Sequence, residues 1–235
     1  MNGGDFERLI TGHRSGGRSL VERFKGERSD FSNDMQAIIC LSEESLPPTQ
    51  IGKSLYDLLK HQFERRGIKT EGFILRSTVN TKVDAHHFTD MVAYLPSMPD
   101  LPITIDFFSI SSCDLDALRS LWARDSKARV YSQLDEQTNI FLFKEGLSVW
   151  RKEKGIIPRA DLSLFRRKIG SVPDWAQPVP FWDFRRFAVG IGRPENHFIL
   201  TPYHIETSER RKNFANMIAD YLLQASRHNT AQQSP

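Results

Sequence analysis

Two histidines, His86 and His87, and the carboxylate of Asp106 share the stretch HHFTDMVAYLPSMPDLPITIDFF, which runs from His86 to Phe108. These residue types move protons. An imidazole titrates near neutral pH and can take a proton from a hydroxyl, a thiol or water. A carboxylate beside it fixes the tautomer and steadies the charge that forms. Asp106 lies among Ile103, Ile105, Phe107 and Phe108. A dry, unpaired carboxylate in such a run costs several kcal/mol, so Asp106 requires a partner.

The stretch reads as two strands, MVAYLP and ITIDFF, joined by a Pro-rich turn. Successive strand residues face opposite ways, so only one of His86 and His87 can face Asp106. His86 shares a face with Phe88 and Asp90 and is the preferred partner. A core histidine satisfied by Asp106, with no chemistry, predicts the same pair. Asp84, His86, His87 and Asp90 also cluster, but not at the spacing of a metal motif. The expectation is no metal and no cofactor.

The elements that position these residues follow from spacing and caps. A short helix is expected over 19–24, and a second one over 33–45 with Ser32 as its cap. Thr49 caps a third, QIGKSLYDLLKHQFERRG, whose Leu55, Leu58, Leu59 and Phe63 form an apolar stripe that Gly67 ends. GFILRSTV reads as a strand, DLDALRSLWARD as a helix, RVYSQL and NIFLFKEG as strands, and ADLSLFRRKIG as a helix. FAVGIGR and HFILTPY look like a strand pair. An amphipathic final helix follows, SERRKNFANMIADYLLQASR, with Phe214, Met217, Ile218, Tyr221 and Leu222 on one face. Helices first and then mainly antiparallel strands suggest an α+β fold.

Region 49–108 thus holds a capped helix ending in R-R-G-I, a strand, H-x-F-x-D, and a strand with a central Asp. This arrangement resembles the transglutaminase-like and arylamine N-acetyltransferase-like branch of the papain-like cysteine protease superfamily. In that branch a Cys begins the helix, a His opens the next strand but one, often as H-x-W-x-E, and an Asp follows on the next strand. The helix end Phe63 to Ile68, F-E-R-R-G-I, matches the family's leu-arg-x-x-gly-ile at Gly67 and Ile68, with Phe63 in the Leu place and Glu64 where the family has Arg. The resemblance implies His86 and Asp106 as catalytic residues and a papain-like, transglutaminase-like core with an antiparallel sheet packed against helices. It also implies acyl transfer or amide hydrolysis on a peptide or small acyl substrate. Counting back from Gly67 by the family's spacing lands on Gly52, between Ile51 and Lys53, where there is no thiol. Cys40, Ser54 and Cys113 are the candidate nucleophiles that remain. A chain that keeps the fold without one would be a catalytically inactive binding module.

The bulk numbers set the frame. A chain of 235 residues with 39% hydrophobic and 26% charged content suits one globular domain, expected over 1–225 with its core at about 30–110. A basic half, 111–225, completes or covers that core, and 226–235 is expected to fray. No apolar run is long enough for a membrane span, and the two cysteines, Cys40 and Cys113, form no disulfide framework, which points to the cytoplasm. Residues 1–150 carry 18 Lys and Arg against 21 Asp and Glu, whereas 151–235 carry 14 against 8. That excess, with the FWDFRRF run, allows a nucleic-acid-associated role, although a solvated basic face is the plainer account. VGIGRPENH lacks the third glycine and the following helix of a phosphate loop.

Overall fold

The computed structural model describes residues 3–14, 16, 18–27, 30–40, 47–87, 89–109, 137, 140, 144 and 196–232. Helix α1 spans Gly3–Thr11, α2 Arg18–Arg23, α3 Phe31–Cys40 and α4 Gln50–Arg65. Strand β1 (Ile74–Ser77), helix α5 (Lys82–His87), and strands β2 (Met91–Tyr94) and β3 (Ile103–Phe107) follow. After the helical residues Gln137, Ile140 and Lys144 come β4 (His197–Leu200), α6 (Pro202–Glu206) and α7 (Ser208–Gln232).

The four strands form one sheet in the order β1-β2-β3-β4. β1, β2 and β3 run antiparallel, with Met91 opposite Ile105. β4 lies parallel to β3, with Asp106 opposite Ile199. The α+β class therefore holds, but the sheet is mixed rather than antiparallel. Alternation along the strands gives it two different faces. One presents Leu75, Met91, Ala93, Ile103, Ile105, Phe107, Phe198 and Leu200 to α1, α4 and α7. Those helices contribute Phe6 and Ile10, then Leu55, Leu59 and Phe63, then Phe214, Ile218 and Leu222. The other face carries Val92, Thr104, Asp106, His197 and Ile199. Met35 of α3 and Val83 of α5 close over Val92.

Several elements depart from the sequence expectation for local reasons. α1 forms because Phe6 and Ile10, one helical turn apart, are both buried. Asp30, not Ser32, caps α3, since its carboxylate accepts the Asn33 N–H at 3.0 Å. Residues 82–87, expected to lead into a strand, are helical, with Val83 and Ala85 turned inward. Ile140 and Lys144, read as part of the strand NIFLFKEG, are helical. α7 runs on to Gln232, through residues expected to fray. RVYSQL, FAVGIGR, FWDFRRF and the helices read at 114–125 and 160–170 lie outside the described residues.

The N-terminus of α4 follows the expectation closely. The Thr49 side chain accepts the Gly52 N–H at 2.9 Å and donates to the Ile10 carbonyl of α1. A Cβ at Gly52 would lie 2.4 Å from Pro47 Cβ and 2.6 Å from the Ile10 carbonyl oxygen. The position at which the family's cysteine would fall is thus a close helix crossing that no side chain fits. Gly52→Ala should destabilise the fold by about 1–3 kcal/mol through this collision. Urea unfolding measures the effect, and wild-type stability in this variant would contradict the crossing.

Candidate active site at one end of the sheet

The buried carboxylate that the sequence singled out is indeed partnered, by residues from distant parts of the chain. Asp106 is buried on β3, and its Oδ2 accepts the Lys144 ammonium in an ion pair. Lys144 is itself buried, so the pair is held away from water. His197 Nε2 lies 3.9 Å from the same oxygen. On its other side, His197 Nδ1 meets Thr104 Oγ1 at 2.9 Å. A hydroxyl, an imidazole, a carboxylate and an ammonium therefore lie in line on one face of the β3–β4 pair.

Asp90 joins this group from the residue before β2. Its N–H donates to the Ile105 carbonyl at 3.0 Å, and its carboxylate accepts the Phe107 N–H at 2.6 Å. Its carbonyl in turn accepts the Thr78 N–H at 2.9 Å, at the end of β1. Asp90 thus ties three strand ends together while its side chain sits at the residue next to Asp106. Burial pushes its carboxyl well above the ordinary carboxylate range, and repulsion by Asp84 and then by Glu7 adds to the shift. The Phe107 N–H and Lys144 oppose the shift without reversing it. Asp84 is buried on α5 and accepts the Asn80 N–H at 2.9 Å. Glu7 arrives on α1, whose Phe6 packs edge-on against Phe107 with ring centroids 5.7 Å apart. Lys144 thus acts on two of these carboxyls, paired with Asp106 and felt by Asp90. Among those residues no three His, Cys, Asp or Glu side chains form a ready-made metal cage.

Of the residues expected from sequence, Asp106 stands at the centre of the group. His86 lies on α5 instead of at a strand mouth, and its side chain, like that of His87, lies outside the described residues. Among the described side chains, the imidazole beside Asp106 is that of His197. Cys40 ends α3 and is exposed rather than buried, and its sulfur accepts from Gln36 Nε2 at 3.4 Å. Ser54 is half-buried on α4, the helix that covers the sheet's apolar face. Cys113 lies outside the described residues. Sequence reasoning passed over Lys144 and His197. Each is a polar residue directly beside an apolar run, FLF before Lys144 and FIL after His197, and that is the signal available.

No described helix is long and apolar enough to cross a membrane. Comparison of the chain with family models, with curated proteins and with solved structures finds no match.

The raised Asp90 carboxyl has a definite pH signature. A folded-state value above the unfolded one means that stability falls as pH rises from the unfolded value of 3.8 to the folded one, and is level beyond it. Asn at this position keeps an acceptor for the Phe107 N–H and has no charge to bury. Asp90→Asn should match the wild type in melting temperature at the acid end and gain on it steadily as pH rises. A difference that stays flat across pH would contradict the assignment.

Proposed function

We propose that the chain is a hydrolase whose centre is the Asp90, Asp106 and Lys144 group, and that its substrate is a phosphodiester of nucleic acid. The observation that carries this reading is the Lys144 ammonium, buried against Asp106, beside a second carboxyl bound to the adjoining Phe107 N–H. Carboxylates alone would repel a phosphodiester. Paired with a divalent cation they serve it, because Mg²⁺ is commonly held by one or two carboxylates together with the substrate's own phosphate oxygens. Such sharing requires no cage of three protein ligands. The cation, when bound, would polarise the phosphoryl group and activate water. Lys144 would offset the negative charge that develops on the phosphoryl oxygens. The excess of 14 Lys and Arg over 8 Asp and Glu in residues 151–235 supports a polyanionic partner.

A second reading keeps the transglutaminase-like resemblance and its acyl transfer or amide hydrolysis. The contact that favours it is Thr104 Oγ1 to His197 Nδ1 at 2.9 Å, with Asp106 on the imidazole's far side. A hydroxyl, a base and an orienting carboxylate in that order are the parts of nucleophilic catalysis. The acid of the sequence expectation is retained, with His197 serving it in place of His86 and Thr104 in place of a thiol.

One experiment separates the two. The purified chain is incubated with single- and double-stranded DNA and RNA in Mg²⁺ or Mn²⁺, and in parallel with activated esters and peptide amides. The first reading expects nucleic-acid cleavage that EDTA abolishes and that Asp106→Asn and Lys144→Met each reduce by about 100-fold or more. Ester or amide hydrolysis lost in Thr104→Val, with nucleic acid untouched, would establish the second in its place. Binding of nucleic acid without cleavage would contradict the hydrolase and leave an inactive binding module.

A further inference from the structure

Gln137, Ile140 and Lys144 are helical and buried. Residues three and seven apart lie on one helix face, the latter within about 20° of each other. Ile140 is apolar filling. Gln137 is bound at both ends of its carboxamide to a single residue of β4. The Ile199 N–H donates to Gln137 Oε1 at 2.7 Å, and Gln137 Nε2 donates to the Ile199 carbonyl at 3.1 Å. Among the described strands β4 ends the sheet, and these are the two groups that a further strand would take. Ile199 is also the register partner of Asp106, which receives Lys144. Gln137 and Lys144, both helical, therefore meet a single rung of the β3–β4 ladder at two points, the main chain of Ile199 and the carboxylate of Asp106.

We propose that Gln137 is a positioning residue for Lys144. Its paired hydrogen bonds to Ile199 fix the height and rotation of the helix, so that the ammonium two turns later reaches Asp106. A carboxamide suits the task because it supplies a donor and an acceptor side by side, as a peptide group does. Leucine has a similar bulk and offers neither. Positioning is a statement about Lys144 itself, and only its effect on turnover rests on the proposed hydrolase.

The test is trace acetylation of the full chain, read lysine by lysine by mass spectrometry, with the exposed Lys53 and Lys69 as references. In folded Gln137→Leu, labelling of Lys144 should rise by about tenfold or more relative to those two, because the helix is released from the rung. Exchange of core amides on α4 should stay as in the wild type, which a general loosening would not allow. Lys144 labelled at its wild-type rate in the folded variant would overturn the proposal. Should Gln137→Leu not fold, the wild type serves. Under rising urea, exchange of the Ile199 amide and labelling of Lys144 should report one shared opening, and two separate openings would overturn the proposal. Nucleic-acid cleavage is scored independently. Its absence from the wild type defeats the hydrolase reading and leaves the labelling result intact.

Discussion

A buried ion pair holds the polar half of this molecule together. Asp106 and Lys144 are both buried, and they come from a strand and a helical residue far apart in sequence. Two charges out of water are tolerated only when each satisfies the other. Removing either leaves the other charge buried without its ion-pair partner. The pair ties Lys144 to β3, beside the Thr104 and His197 that the β3–β4 register brings together.

Charge balance explains the character of this end of the sheet. Asp90 and Asp84 are buried near the pair, and Glu7 reaches the same field from α1. Burial first, and then the repulsion of Asp84 and Glu7, makes Asp90 hold its proton more tightly. Such an arrangement is a poor way to stabilise a fold. The opposite face of the sheet supplies stability more cheaply, with Phe6, Phe63, Phe73 and Phe214 packed against strands and none of them exposed beyond a few per cent. The scaffold is thus apolar on one face of the sheet and acidic at one end.

How much of this the sequence disclosed follows from how local each signal is. Thr49, the Leu55, Leu59 and Phe63 stripe, and Gly67 with its φ of +72° define α4 from residues within one element, and α4 formed as expected. The strands MVAYLP and ITIDFF, and the need of Asp106 for a partner, were legible for the same reason. The partner's identity was not. His197 is joined to Asp106 by a parallel pairing of β3 with β4, and Lys144 by an ion pair across 38 residues, and no local pattern encodes contacts of that range. His86 attracted attention by lying near Asp106 in sequence. The buried Val83 and Ala85 drew its segment into a helix. Lys144 was misread because its neighbours in FLFKEG suggest a strand, whereas its spacing from Gln137 and Ile140 is helical.

The Asp106 carboxylate and the Lys144 ammonium are directly coupled in energy, and a double-mutant cycle measures the coupling. Urea unfolding of Asp106→Asn, Lys144→Met and the double variant gives the three differences required. Each single change should cost about 3–5 kcal/mol, and the double should cost less than their sum by at least about 2 kcal/mol, since a bare buried charge is worse than none. Strictly additive costs would mean that the two groups do not meet in the folded protein, and the centre built around them would not exist.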